Sequence, residues 1–447
     1  MGRRPTSLSA SATLAQLAAR LKAKQARIGI IGLGYVGLPL AVEFAKQGFP
    51  VHGIDIDRHR VSQVNRGQSY IPDVPKKELG RLVREKRLVA KASFGGLAAC
   101  EAIIICVPTP LRKTREPDIS FILGAAKEIA KTLRRGQLIV LESTTYPGTT
   151  NEVILPMLEA RGFTVGRDFS LAFSPERIDP GNPHYTTRTI PKVVGGTTPT
   201  CRKLAMTLYN QIIETVVPVS STKVAEMVKL LENTFRAVNI GLANEIALMC
   251  DKLGLDVWDV IGAAKTKPFG FMAFYPGPGI GGHCIPSDPM YLAWKARLHG
   301  FEARFIELAD QTNRYMPHYV VDKIARALNE RRQALKGARI LLVGLAYKKD
   351  VNDTRDSSAF EVAQELDERG ARVSYHDPYV PTAELNGTLT ASTPLTPSQL
   401  TRMDCVVILT NHSTVNYDLI LRHAPLIVDT RNQYGAVGQN NRRITRL

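Results

Sequence analysis

Short apolar runs alternate with amphipathic stretches over the first half of the chain. "ARIGIIGLGYVGLPLAVEFAKQGFPVHGIDID" reads as strand, tight turn, helix, strand. Residues 27–31 form a short buried strand, and 38–47 continue with helical spacing until Gly48 stops them. Residues 51–54 form a second strand ending at Asp55. "EAIIICVPTP" and "GQLIVLESTTYPGT" are two more buried strands running into polar loops, and "TIPKVVGG" is another near residue 193. Strands alternating with helices predict a doubly wound parallel sheet. The texture changes near residue 220. "STKVAEMVKLLENTFRAVNIGLANEIALMCDKLGL" has helical spacing over roughly 30 residues, about 45 Å at the usual rise. It is apolar around most of its circumference, which predicts burial between domains or subunits. Helical material continues to about residue 330, broken by the loop "GIGGHCIPSD". Near 337 the α/β pattern returns: "GARILLVGLAYKKDVNDTRDS" as strand and loop, "AFEVAQELDERG" as a helix ending at Gly370, then "ARVSYHDP", "DCVVILT" and "PLIVDTRN" as strands. The predicted fold class is α/β, with two Rossmann-like doubly wound parallel-sheet domains joined by a central helical region with one long helix. The expected domains are 1–215 (with 1–25 a lead-in helix or tail), 216–325 and 326–447.

Composition narrows the class. The 447 residues suffice for two or three domains. No apolar run is long enough to predict a membrane span. The formal net charge of +17 invites an anionic partner, yet no basic block with interleaved aromatics and no zinc-finger spacing occurs. Small anionic ligands fit better than nucleic acid, with the remaining charge on solvated faces. The six cysteines (Cys100, Cys106, Cys201, Cys250, Cys284 and Cys405) are scattered and none has CxxC spacing, so neither a disulfide framework nor a metal site is expected. Scattered thiols fit a reducing, cytoplasmic setting. The Ser/Ala-rich, basic N-terminus loosely matches a transit peptide, and Gly2 with Thr6 a myristoylation pattern; a short helix or frayed lead-in is the preferred reading.

Gly32, Gly34 and Gly37 form GxGxxG between a strand and a helix, and Asp55 follows Gly32 by 23 positions (55 − 32) at the end of the next strand. That context fits a dinucleotide site: bare backbone approaches a pyrophosphate at a helix N-terminus, and the carboxylate accepts from the ribose. A carboxylate there repels a 2′-phosphate, so NAD is favoured over NADP, although Arg58 and Arg60 soften the preference. On the long helix, Lys229 and Asn233 share a face, extended by Glu226 and Arg236. They form either a buried polar stripe between helices or a pair that stabilises an oxyanion, the lysine being a base if desolvated. Cys284 alone is set in a glycine-rich loop; the other cysteines lie in apolar segments where they read as small core residues. It is filler or a nucleophile, and a nucleophilic thiolate needs an electropositive neighbour such as Lys229. His283 is adjacent but faces elsewhere, and Asp288 is placed to orient a water or the lysine. Gly281 and Gly282 would let bare backbone approach a ligand.

Together "GLGYVGLPLA", "STTYPGT", "FSPERIDPGN", "EMVKLLENTFRAVNIGLANE", "YPGPGIGGHCIPSDP" and "GLAYKKDVNDTRDS" resemble the UDP-glucose/GDP-mannose dehydrogenase family from about residue 25 to the C-terminus. The resemblance implies oxidation of the C6 alcohol of a nucleotide sugar to a carboxylate with two NAD⁺ and no metal. It also implies an N-terminal NAD domain, a central helical dimerisation region and a C-terminal nucleotide-sugar domain. It makes Cys284 the nucleophile, forming a thiohemiacetal and then a thioester, and Lys229 and Asn233 the holders of the oxyanion. Asp288 and Thr144 would order water and assist proton transfer, and Glu176 would lie near the reacting carbon. Thr109, Thr144, Arg60 and Arg355 fall on the cofactor side. Lys348, Arg431, Arg177 and Gly281 fall on the nucleotide sugar. After "SPE" many UDP-glucose members carry a second glutamate that is missing here, with Asp179 at a different spacing. "SPERIDPGN" and the Cys284 stretch look more like the subgroup acting on UDP-N-acetylhexosamines. UDP-N-acetyl-D-glucosamine is the expected substrate, and surface polysaccharide biosynthesis the expected use. UDP-glucose, UDP-N-acetylgalactosamine and UDP-N-acetylmannosamine stay open. So do a two-electron hydroxyacid dehydrogenase, disfavoured by Cys284 and the second Rossmann-like half, and an inactive nucleotide-binding scaffold. A homodimer or higher homo-oligomer is expected.

Overall fold

The computed structural model describes residues 10–112, 114–178 and 185–447, with side chains from residue 13. Gly2, Thr6 and Asp179 lie outside the described residues. The chain divides into two compact units, Met1–Glu232 and Asn233–Leu447.

The first unit is built on an eight-stranded sheet. Its strands are β1 (Ile28–Ile31), β2 (Val51–Ile54), β3 (Leu88–Lys91), β4 (Ala102–Ile105), β5 (Leu138–Leu141), β6 (Ser170–Phe173), β7 (Lys192–Gly196) and β8 (Val216–Pro218), ordered β3-β2-β1-β4-β5-β6-β7-β8. All pairs are parallel except β6–β7. The sheet is covered on both faces, so its central strands are apolar throughout rather than alternating. Ile28 and Ile30 pack with one core and Ile31 with the other; Ile104 and Ile103 divide in the same way. Chain direction across the sheet reverses between β1 and β4, which opens a crevice at the carboxyl ends of those strands. Ala10–Lys22 is a helix that buries Leu14, Leu17 and Leu21 against the first of these cores.

The second unit carries a five-stranded parallel sheet: β9 (Arg339–Val343), β10 (Arg372–His376), β13 (Cys405–Ile408), β14 (Ile427–Asp429) and β15 (Ile444–Arg446), ordered β10-β9-β13-β14-β15. A hairpin of β11 (Thr382–Leu385) and β12 (Thr388–Ala391) turns at Asn386-Gly387, both at positive φ. The strands read from the sequence do not include the interior strand β6, the edge strands β3, β8 and β15, or this hairpin.

The long helix spans Thr222–Leu253, runs from the first unit into the second, and stops at Gly254, whose φ is +69°. Ser221 caps its start, accepting from the Val224 N–H. Its apolar girth is only partly covered: Leu231, Phe235, Leu242, Met249 and Leu253 are exposed in the single chain. No described helix is long and apolar enough to cross a membrane.

Candidate active-site residues

The first β-turn-α unit is shaped by what its glycines touch. Gly32 has φ +91°, and a Cβ there would collide with the Cys106 carbonyl. A Cβ on Gly37 would collide with the Gly32 carbonyl, which lets the helix Gly37–Lys46 start tight against β1. Around Gly34, by contrast, a Cβ would meet nothing within 4 Å. The first and third glycines are therefore demanded by the protein, while the second leaves open space for a ligand's phosphate. Asp55 is buried at the end of β2. One of its oxygens accepts from the Leu33 N–H (2.8 Å) and the other from Asp57 N–H (2.9 Å), with the Arg60 guanidinium 3.7 Å away. The open space at Gly34 beside the Asp55 carboxylate fits NAD. Thr109, past β4, is buried, and Thr144, past β5, is half-buried.

On the long helix the polar stripe has separate uses. The Glu226 carboxylate accepts from the Gly148 and Thr150 N–H groups (2.6 and 2.9 Å) and the Thr150 hydroxyl (2.7 Å), pinning the helix to the loop after β5. Burial raises its pKa against those bonds. Lys229, one turn on, is 9% exposed, and it makes no hydrogen bond or ion pair with any described residue. An ammonium with no counterion among the described residues is available to an anionic or oxyanionic ligand.

Glu176 and Arg177 are committed within the first unit. Arg177 pairs with Glu232 (2.6 Å) and donates to the Pro191 carbonyl (2.6 Å). Glu176 accepts from the Arg177 and Ile178 N–H groups (both 2.8 Å) and from the Lys192 ammonium (3.1 Å). Lys192 also reaches Glu142 (3.2 Å), and Tyr209 donates to the other Glu142 oxygen. Burial pushes Glu142 up to about 7 against the pull of Lys192. For Glu176 the same burial is outweighed by Lys192 and the backbone donors, so its pKa falls. The sequence reading took Lys192 only as part of a strand; a lysine inside an apolar run was the available signal.

In the second unit, Cys284 is the first residue of the helix Cys284–Arg297 rather than part of the loop expected from its glycine neighbours. Proline is tolerated in a helix's first turn, so Pro286 does not delay the start. Cys284 is exposed, the other five cysteines are buried, and none is in a disulfide. Asp288, one turn further on, is buried and accepts from the Asn233 amide at 2.5 Å. First-turn N–H groups favour an anion at Cys284. The glycines before it have protein neighbours. A Cβ on Gly281 would press on Tyr347 and the Asp356 carbonyl, and one on Gly282, at φ +83°, on the Tyr347 ring. The Gly282 N–H donates to the Arg355 carbonyl at 3.0 Å. Their bareness therefore seats the segment on the loop after β9, where the sequence reading had supposed an open approach to the sugar.

That loop carries half-buried Lys348 and exposed Arg355, whose guanidinium is held by Asp353 (2.6 Å). Arg431, past β14, donates from Nε to the Leu409 carbonyl (2.7 Å) and lies beneath Gly277. Burial lowers its pKa to about 10, opposed by Asp429. No group of three or more described His, Cys, Asp or Glu residues is arranged to hold a metal.

Models of the UDP-glucose/GDP-mannose dehydrogenase family match in order: the NAD binding domain over residues 26–213, the central domain over 223–315 and the UDP binding domain over 341–436. A UDP-N-acetyl-D-glucosamine 6-dehydrogenase of Pseudomonas aeruginosa is 38% identical over 359 residues, covering 80% of this chain and 84% of that protein. An NDP-N-acetyl-D-galactosaminuronic acid dehydrogenase of Ralstonia solanacearum is 34% identical, covering 92% of this chain and 96% of the relative. The solved structure of a UDP-D-ManNAc dehydrogenase from Pyrococcus horikoshii superposes with a TM-score of 0.83 at 33% identity, covering 91% of this chain and 95% of that one. Three matched domain models and relatives aligned over most of their length agree with the turn geometry at Gly32 to Asp55: this chain belongs to the UDP-glucose/GDP-mannose dehydrogenase family and is an NAD-dependent nucleotide-sugar dehydrogenase.

Proposed function

We propose that the protein oxidises the C6 alcohol of a UDP-N-acetylhexosamine, UDP-N-acetyl-D-glucosamine first among them, to the uronate in two NAD-dependent steps. The observation that carries the reading is the exposed Cys284 thiol at a helix start, with Asp288 held by Asn233 one turn away. NAD⁺ supplies the hydride acceptor, once per oxidation. After the C6 aldehyde forms, the Cys284 sulfur bonds to C6. Lys229 and the Asn233 amide stabilise the resulting oxyanion, for which the uncompensated Lys229 charge is suited. Loss of the second hydride leaves a thioester. Water, oriented by Asp288 with help from Thr144, attacks it; the C–S bond breaks and the thiol is restored. Lys348 and Arg431 hold the nucleotide part, and Glu176 with Arg177 frames the sugar.

The choice of sugar draws on the relatives, whose names span glucosamine, galactosaminuronic acid and mannosamine forms. A panel of UDP-glucose and the three UDP-N-acetylhexosamines tests it by comparing kcat/KM, with UDP-N-acetyl-D-glucosamine expected highest. Cys284→Ser is expected to abolish acid formation; undiminished acid formation would remove Cys284 from its role. The exposed stripe Leu231, Phe235, Leu242 and Met249 suits a second copy of the chain, so a homodimer is expected by light scattering.

A further inference from the structure

Lys192 opens β7, yet its side chain belongs to two other loops. Its ammonium lies 3.2 Å from Glu142, the residue directly after β5, and 3.1 Å from Glu176, three residues after β6. It also donates to the Pro175 carbonyl at 3.4 Å and lies 5.1 Å from the centroid of the Tyr209 ring. Tyr209 closes the far side by donating its hydroxyl to Glu142. Lys192 and Glu142 are almost wholly buried, and Glu176 nearly so.

Such a group is a poor choice for stability. Burying one ammonium with two carboxyl groups costs desolvation that offsets much of the attraction, and that cost holds the Glu142 carboxyl up at about 7. What it provides is geometry. Thr144 follows Glu142 by two residues and Arg177 follows Glu176 by one, so the lysine fixes the separation of the two strand-end loops that carry these groups.

We infer that Lys192 is a positioning residue: it clamps the Glu142–Thr144 loop to the Glu176–Arg177 loop and so holds both in the arrangement that turns over the nucleotide sugar. This rests on the function proposed above for Thr144 and Glu176. A group that positions reacting parts lowers kcat of the folded enzyme, whereas a merely structural one lowers stability and leaves that kcat unchanged; a misplacement of about 1 Å costs on the order of a hundredfold in rate.

The test is Lys192→Met in the full-length protein, read by kcat, KM for the nucleotide sugar and thermal unfolding. The expected result is kcat lowered by about a hundredfold and KM within about threefold of the parent, with a lowered unfolding midpoint because two buried carboxyl groups lose their shared cation. A folded variant with kcat within threefold of the parent overturns the inference, as does a loss confined to KM. If Lys192→Met does not fold, Glu142→Gln replaces the carboxyl that Lys192 holds with an amide of the same shape: kcat reduced tenfold or more in a folded protein supports the clamp, and a smaller change overturns it. The parent enzyme is assayed first. If it oxidises no nucleotide sugar, the proposed function fails; if it does and the variants match it, only the clamp fails.

Discussion

The two Rossmann-like halves begin with the same turn and then put it to different uses. Gly32 and Gly344 sit at φ +91° and +90°, each just past the first strand of its sheet. The Gly32 N–H donates to the end of β2 (2.7 Å) and the Gly344 N–H to the end of β10 (2.9 Å). Leu33 N–H bonds Asp55, and Leu345 N–H bonds Asp377. There the likeness ends. Gly34 leaves open space beside a carboxylate with few partners. In the second half Ala346 takes that place, and its N–H also bonds Asp377 (3.0 Å). Tyr379 and Val380 N–H groups and the buried His412 ring occupy what remains of Asp377. One turn is open to a ribose and a pyrophosphate; the other is closed on itself. Under the function proposed above, the second half binds its nucleotide further along, at Lys348 and Arg431.

The shared part is broken most severely by adding a methyl group. Gly32→Ala and Gly344→Ala each force a positive φ and press a Cβ on a carbonyl, of Cys106 or Thr410. Each is expected to cost about 3 kcal/mol or more in urea unfolding. Tolerance of either one would show that the turns are not equivalent.

Next come the two aspartates. Asp377→Ala strands a buried histidine and four backbone donors, Leu345, Ala346, Tyr379 and Val380, at an expected cost of about 3–5 kcal/mol with NAD affinity unchanged. Asp55→Ala is expected to weaken NAD about tenfold or more, measured by calorimetry, at a smaller cost in stability. The pH response should separate them further. Burial raises the Asp377 carboxyl, but His412 and the backbone donors outweigh it and hold the folded pKa below 3.8. A depressed folded value means that its stabilisation is complete above the ordinary carboxylate range and is lost as pH falls through it. Acid unfolding below pH of about 4 should therefore be shallower in Asp377→Asn than in the parent.

The smallest effects are expected at the middle residue. Gly34→Ala should leave stability unchanged or raise it by about 0.4–1 kcal/mol while NAD binding weakens, because the added methyl enters only the ligand's space. Ala346→Gly should cost about the same amount with no change in UDP affinity.

What was legible follows from range. Parallel strands covered on both faces write themselves as apolar runs, so most central strands could be read locally, while Ser170–Phe173, four residues opening on a serine, was too short a run to stand out. Edge strands such as Leu88–Lys91, half-exposed, carry no such mark. GxGxxG with Asp55 was readable because both ends fall in one β-α-β unit. The partners of Lys192 lie 50 and 16 positions away, and the Tyr347 ring that requires Gly282 lies in another element, so neither is written in local spacing. Cys284 was legible as distinct, but glycine and proline around it hid the helix that it starts.

The central claim is a four-electron oxidation through Cys284, and the most direct measurement is stoichiometry. Limiting UDP-N-acetyl-D-glucosamine is exhausted with excess NAD⁺, and NADH is counted against product identified by mass spectrometry. The account predicts two NADH per sugar and the uronate as the accumulated product. One NADH per sugar, with the aldehyde accumulating, would contradict it.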